Sequence, residues 1–274
     1  MVFIKNFLFE RKNDEKTRLI RVGDEVIGGE KLVMMAGPCA VESEVQIMQV
    51  AKSVKEAGAT FLRGGAYKAR TSPHAFSGLG LGGLRLLRQA ANEYSLKVVS
   101  EITSERQLDE IAKYCDMAQV GARNMQNFEL LKALGQAKIP VLLKRAPCAT
   151  IEEWLRAAEY ILAEGNFAVV LCERGIRTFE TQTRYTLDIY AVPVLRAKTS
   201  LPVVVDPSHA SGYAGYVKEL SLAALAAGAD GLLIEVHNAP KLALSDSRQQ
   251  ITPDEYKSLF LAASKVANAI GRKI

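Results

Sequence analysis

Four side chains of the kinds that ligate metals, Cys39, His209, Glu235 and Asp246, are spread over most of the chain. So are six cations, Arg63, Lys68, Arg70, Arg123, Lys144 and Arg174. A thiolate, an imidazole and two carboxylates make a donor set for a divalent transition metal. Arginine's planar fork and lysine's point charge suit phosphates and carboxylates. Neither group forms a local motif. The four cysteines (Cys39, Cys115, Cys148 and Cys172) include no C-x-x-C and no zinc-ribbon spacing. Taken singly, each residue has an ordinary reading. Cys39 is a small buried hydrophobe, His209 a hydrogen-bonded structural histidine, Asp246 a loop or cap residue, and any one arginine half of a surface ion pair. Glu235 differs because it ends an apolar run, where a carboxylate is costly without a partner.

Only a fold that gathers these residues makes a site of them. Eight short apolar runs recur, at residues 32–36, 60–63, 97–101, 117–120, 141–144, 168–172, 203–206 and 231–235, each followed by a longer amphipathic stretch. Runs of this length, rich in Val, Ile and Leu, are the pattern of parallel strands buried on both faces. Ser104-Glu-Arg-Gln107, Thr150-Ile-Glu-Glu153 and Thr252-Pro-Asp-Glu255 read as capping boxes at helix starts, the last with Pro at the first helical position. Ala-Gly-Ala occurs at 57–59 and 227–229, each time between a helix and a strand, where a C-terminal glycine belongs.

Eight strand–helix units predict an α/β fold, the (β/α)8 TIM barrel, over residues 32–274; a doubly wound open sheet is the runner-up. Residues 1–31 form an N-terminal extension. Its 18–22 and 25–27 runs, parted by Gly23-Asp24, predict a β-hairpin that caps the barrel. Barrel enzymes place their chemistry where the strands end. Arg63, Glu101, Lys144, Arg174, His209 and Glu235 all lie at or just beyond such ends. His237, two residues past Glu235, reads as a supporting or structural histidine and not as a ligand.

Composition narrows the function classes. The chain has 274 residues, 49% hydrophobic and 24% charged, which is ordinary for a soluble globular protein. Thirty-five Lys+Arg against thirty Asp+Glu leave +5, with the basic residues scattered. That fits a pocket for small anions better than a nucleic-acid interface, so no nucleic-acid partner is expected. Dispersed cysteines predict a reduced, cytoplasmic protein. No apolar run reaches the ~18 residues of a membrane helix, and the first ten residues lack the features of a signal peptide. Gly78-Leu-Gly-Leu-Gly-Gly83 contains G-x-G-x-x-G, but about a dozen residues separate it from the preceding strand. A dinucleotide fingerprint follows its strand directly, so these glycines are read as the approach to a helix.

Several segments together carry a resemblance. They are Ala36-Gly-Pro-Cys-Ala-Val-Glu-Ser43, Leu62-Arg-Gly-Gly-Ala-Tyr-Lys68, Arg70-Thr-Ser-Pro73, Gly121-Ala-Arg123, Asp206-Pro-Ser-His209, Ile234-Glu-Val-His237 and Leu244-Ser-Asp246. Over residues 30 to 262 the chain resembles the 3-deoxy-D-arabino-heptulosonate 7-phosphate (DAHP) synthases, the entry enzymes of the shikimate pathway to chorismate and the aromatic amino acids. It looks like their compact microbial group, which is similar to 3-deoxy-D-manno-octulosonate 8-phosphate (KDO8P) synthase.

The resemblance implies a transferase that condenses phosphoenolpyruvate with erythrose 4-phosphate and water, giving DAHP and phosphate. It implies a divalent metal (Mn, Fe, Co or Zn) on Cys39, His209, Glu235 and Asp246, and phosphoenolpyruvate on Arg63, Lys68, Glu101, Arg123, Lys144 and Arg174. The aldose phosphate falls on Arg70, Thr71 and Ser72. Lys68, Glu101, His209 and Cys39 are the implied catalytic residues, and the assembly a homo-oligomer, dimer or tetramer.

One position departs from the pattern. Ala69 stands where the DAHP group has Pro and the KDO8P group Ala, so the loop gives up the fixed φ of proline. KDO8P synthesis from arabinose 5-phosphate and a non-catalytic sugar-phosphate-binding barrel are the competing functions. About thirty residues before the first barrel strand leave little chain for a regulatory domain, so no domain-based feedback by Phe or Tyr is expected.

Overall fold

The structure is a computed structural model, and it describes residues 7–13, 15–69, 72 and 74–274. An antiparallel hairpin, β1 (Ile20–Val22) and β2 (Glu25–Ile27), precedes the barrel and turns at Gly23, whose φ is +63°. Eight parallel strands then close on themselves: β3 (Val33–Gly37), β4 (Phe61–Arg63), β5 (Lys97–Ile102), β6 (Met117–Val120), β7 (Val141–Lys144), β8 (Val169–Glu173), β9 (Val203–Val205) and β10 (Gly231–Glu235). β10 pairs with β3 to complete the ring, which makes this the (β/α)8 barrel that the eight runs predict and excludes the open sheet.

The connecting helices are α1 (Glu44–Glu56), α2 (Leu81–Glu93), α3 (Leu108–Tyr114), α4 (Phe128–Ala137), α5 (Ile151–Ala163), α6 (Ala191–Lys198), α7 (Pro207–Ser211), α8 (Val217–Ala226) and α9 (Pro253–Ala269). The three predicted capping boxes are present. Ser104 and Gln107 open the short 3-10 turn that leads into α3, while Thr150 with Glu153 and Thr252 with Glu255 start α5 and α9. Gly58 and Gly228 follow α1 and α8 with φ near +97° and +99°. Gly80, at φ +58°, is the N-cap of α2, so the glycine-rich run is a helix approach as read. Among the described residues no helix is long and apolar enough to cross a membrane.

Alternation along the strands separates two cores, because successive side chains of a strand point to opposite faces. Met34, Leu62, Val98, Leu143, Leu171 and Ile234 face outward and pack with the helices. Val33, Met35, Phe61, Val99, Met117, Leu142, Val170, Val204 and Leu233 face inward and share one cluster with Ile20, Val22 and Ile27 of the hairpin. These inward residues lie toward the strand starts. Two positions further along several strands the inward face becomes polar: Arg63, Glu101, Gln119, Lys144, Asp206 and Glu235. The barrel is dry at one end and charged at the other.

One strand ends earlier than its apolar run. β9 stops at Val205, because Asp206 turns out of the sheet and its side chain accepts from the His209 backbone N–H at the start of α7. Such a carboxylate cap satisfies an otherwise unpaired helix donor.

Candidate active site and metal centre

The charged end of the barrel brings Cys39, His209, Glu235 and Asp246 together, with one ligand-type atom from each lying within 4.8 Å of the others. Glu235 ends β10, and Cys39 follows β3 across Gly37, where a Cβ would sit 2.0 Å from the Arg63 carbonyl oxygen. His209 sits in α7, and Asp246, in the loop after β10, has φ +49°, a left-handed conformation that Asp tolerates.

Each donor is held by a neighbour. Cys39 Sγ lies 3.3 Å from Asp246 Oδ2 and 3.2 Å from Ser245 Oγ, and it accepts from Lys68 Nζ at 3.0 Å. His209 Nδ1 is 2.7 Å from Asp206 Oδ2, which leaves Nε2 facing Glu235 Oε1 at 3.4 Å. The other oxygen of Glu235 accepts from Gln249 Nε2 at 2.6 Å. Arg184 Nη1 donates to Gln249 Oε1 at 2.9 Å and stands 3.6 Å from Asp246 Oδ1.

Ionisation in the cluster follows burial and charge. Burial, with Glu235 beside it, pushes the Cys39 thiol up to about 12 although Lys68 opposes this. Burial holds the His209 imidazole below its ordinary value, outweighing Asp206 and Glu235, so the ring is neutral as a ligand requires. Burial disfavours the Asp246 carboxylate, but His209, Arg184 and Lys68 bring it down to about 2. A soft sulfur, a neutral ring nitrogen and two carboxylates crowd together, with the far side of the imidazole fixed by a carboxylate. That donor set fits a divalent transition metal, and the Asp206–His209 pair is the usual outer support of such a ligand.

Beside the cluster is a polar cavity of about 140 Å³. Lys68, Ala69, Glu101, Arg123 and Arg174 line it together with Arg184, His209 and Asp246. Glu101 fits because residue 121 is glycine: a Cβ there would lie 2.0 Å from Glu101 Oε1. Arg123, in a 3-10 turn after β6, donates to the Ala69 carbonyl at 3.3 Å.

Two of the predicted cations, Arg63 and Lys144, are not among the residues that line the cavity. Arg63 is buried, with Nη1 3.0 Å from Glu235 Oε1, and Lys144 is buried 2.5 Å from Asp206 Oδ2. Arg174 is buried too, with its guanidinium carbon 4.3 Å from the Tyr185 ring centroid. Of the residues expected for the aldose phosphate, Arg70 and Thr71 lie outside the described residues, and Ser72 is exposed. His237 is buried apart from the cluster. It accepts from the Ala239 N–H at 2.9 Å, and its Nε2 lies 3.4 Å from Glu42.

Reading the sequence alone missed Asp206, Arg184 and Gln249. Asp206 ends its apolar run as Glu235 does, a signal that was available. Arg184 sits in the middle of the loop between β8 and α6, and Gln249 in the loop before α9; neither carries a signal of its own. Arg145, next to Lys144, turns away from the cavity. It pairs with Glu173 at 3.0 Å and Asp188 at 2.8 Å, and donates to the Ala149 carbonyl.

Comparison with known proteins agrees over nearly the whole chain. The profile of the DAHP synthetase I family matches residues 11–271. The chain is 48% identical over 267 residues to phospho-2-dehydro-3-deoxyheptonate aldolase of Thermotoga maritima, covering 97% of this chain and 79% of that one. It is 30% identical over 263 residues to 2-dehydro-3-deoxyphosphooctonate aldolase of Geobacter sulfurreducens, covering 89% and 96%. The crystal structure of the Thermotoga maritima DAHP synthase superposes with a TM-score of 0.95 at 47% identity, over 99% of this chain and 80% of that one. A truncated form of the Thermotoga maritima enzyme superposes at 0.91 with 45% identity, over 97% and 98%. By family profile, sequence identity and fold, the chain belongs to the DAHP synthetase I family.

Proposed function

We propose that this chain joins C3 of phosphoenolpyruvate to the aldehyde carbon of erythrose 4-phosphate. Water adds at C2 of the enolpyruvate, and its C–O bond to phosphate breaks, so that DAHP and inorganic phosphate are released. As a member of the DAHP synthetase I family the chain is an enzyme, a DAHP synthase. The observation that carries the reading is the four-donor cluster standing against a cavity walled by Lys68, Arg123, Arg174 and Arg184. The substrates are polyanions with two phosphates and one carboxylate between them, and such a wall compensates that charge.

The residues take complementary roles. Lys68 holds the carboxylate of phosphoenolpyruvate, with Arg63 and Lys144 adding positive charge from outside the cavity lining, and Arg123 and Arg174 hold its phosphate. Glu101 orients the water that adds at C2. Arg70, Thr71 and Ser72 take the phosphate end of the aldose. Asp206 keeps the His209 ring in one orientation, and Lys68 Nζ, 3.0 Å from Cys39 Sγ, favours the thiolate. A divalent cation held by Cys39, His209, Glu235 and Asp246 would supply Lewis acidity to the aldehyde oxygen. Thiolate and imidazole favour Mn, Fe, Co or Zn over Mg.

Assay of phosphate release with phosphoenolpyruvate and either erythrose 4-phosphate or arabinose 5-phosphate, with and without chelator, tests the reading. Turnover on erythrose 4-phosphate that stops with EDTA and returns with Mn is expected. Turnover confined to arabinose 5-phosphate would assign the sister reaction, and none on either aldose a binding role. A Cys39→Asn variant fully active in EDTA would exclude the metal.

A further inference from the structure

Among the described residues four cations are buried at the charged end of the barrel, and three of them are neutralised. Arg63 pairs with Glu235, Lys144 with Asp206, and Arg145 with Glu173 and Asp188. Arg174 is the exception. It is 5% exposed, has no carboxylate in ion-pair contact among the described residues, and its Nη1 has no hydrogen-bond partner there. A buried guanidinium without a counter-charge is costly unless something else stabilises it. The face of this one is covered by the Tyr185 ring at 4.3 Å, and the ring's electron-rich face attracts a cation. The contact is in part a hydrogen bond to the Tyr185 side chain, yet it leaves Nη1 unpaired, a donor that a carboxylate in bidentate contact would occupy.

The Tyr185 ring is held in place by its surroundings. The Tyr185 N–H donates to the Ala210 carbonyl at 2.9 Å, and the Arg184 N–H to the Ser211 carbonyl at 3.0 Å. Both acceptors belong to α7, the helix that carries His209. The packing at residue 175 adds to this. Residue 175 has φ +92°, and a Cβ there would lie 2.7 Å from Tyr185 Cβ and 3.0 Å from Ala210 Cα. Glycine next to Arg174 is therefore what lets the loop close down on the guanidinium. An antiparallel bridge between Ile176 and Thr186 ties the two arms of that loop together.

We propose that Tyr185 is a positioning residue for phosphoenolpyruvate. Its ring backs the Arg174 guanidinium so that the donors of Arg174 stay turned into the cavity and available to the substrate phosphate. This rests on the reading of Arg174 as a phosphate ligand.

The test compares Tyr185→Leu, Tyr185→Phe and Arg174→Gln in the Mn-loaded enzyme, using titration calorimetry with phosphoenolpyruvate and the KM for each substrate. Tyr185→Leu is expected to weaken phosphoenolpyruvate by about 5- to 30-fold, the range of a desolvated cation–π contact. The KM for erythrose 4-phosphate stays within about twofold, and Tyr185→Phe, which keeps the ring, binds within about twofold of the parent. Adding Tyr185→Leu to Arg174→Gln weakens binding no further, since the two act as one unit. Unchanged binding in Tyr185→Leu, while Arg174→Gln binds weakly, overturns the role of the ring and leaves the role of Arg174 intact. Equal weakening of both substrates, or a Tyr185→Phe variant as weak as Tyr185→Leu, also overturns it. Full affinity in Arg174→Gln removes the phosphate reading and the proposal with it. Thermal midpoints of the variants confirm that each is folded.

Discussion

Asp206 grips His209 with both oxygens of its carboxylate. Oδ1 accepts from the His209 backbone N–H at 2.9 Å and Oδ2 lies 2.7 Å from the ring Nδ1. Oδ2 also lies 2.5 Å from Lys144 Nζ. Burial works against this carboxylate, but His209 and Lys144 on its two sides hold it well below the usual carboxylate range. One acid thus sets the tautomer of a metal-ligand candidate, starts its helix and neutralises a buried lysine.

Replacing Asp206 by Asn keeps the shape and removes one acceptor and the charge. Outer-shell changes of this kind cost about 10- to 100-fold in metal affinity. Competition with a chromophoric chelator should show Mn or Zn bound that much more weakly, with activity recovering only at raised metal concentration. Unchanged affinity would mean that His209 is oriented by the helix alone.

Gly121→Ala tests Glu101. The added Cβ would lie 2.0 Å from Glu101 Oε1 and 2.8 Å from its Cδ, so the carboxylate must swing away. The end of a flexible side chain moves at little cost, so the melting temperature should hold within a few degrees. kcat should fall by about 10- to 100-fold, the scale of a misplaced acid–base or water-orienting group. A large drop in stability with normal kcat would place Glu101 in the scaffold instead.

Arg145 is a structural cation, and its loss should have a pH signature. Burial raises Glu173 above the ordinary carboxylate value even with Arg145 opposing it. Arg145→Leu removes that opposition, and the folded-state value climbs further. An acid raised on folding is penalised where it is ionised, so stability is lost as pH rises through the unfolded-state value and toward the folded one. The variant should be close to the parent near pH 4 and less stable at pH 7 to 8, by about 3–5 kcal/mol for a broken buried pair. Urea melts across that range check it; a pH-independent difference would point to lost packing on Trp154, whose ring lies 5.9 Å away.

Much of this protein was legible one residue at a time. Strands buried on both faces read as bare apolar runs, so β6 (Met117–Val120), β7 (Val141–Lys144) and β10 (Gly231–Glu235) have the bounds that those runs predict. Capping boxes are local hydrogen-bond patterns, and Thr150 with Glu153 or Thr252 with Glu255 needs no distant partner. Polar residues closing apolar runs pointed to one end of the barrel, because parallel strands all end on the same side.

Pairing and access were decided only by the tertiary structure. Nothing in the sequence separates Arg63, paired with Glu235, from Arg174, which has no carboxylate in ion-pair contact among the described residues, because one ends a strand and the other directly follows one. Lys144 and Arg145 are adjacent in the chain yet project to opposite sides, one toward Asp206 and the other toward Glu173 and Asp188. Arg184 enters through a long loop whose course is set by hydrogen bonds to α7 and by the space left at Gly212, and Gln249 through another loop, tied to the Ala214 N–H by the Arg248 carbonyl. Alternation and capping act over a few residues and can be read from order alone. Charge partners depend on closing the ring, which sets residues as much as 207 positions apart within a few ångströms of one another.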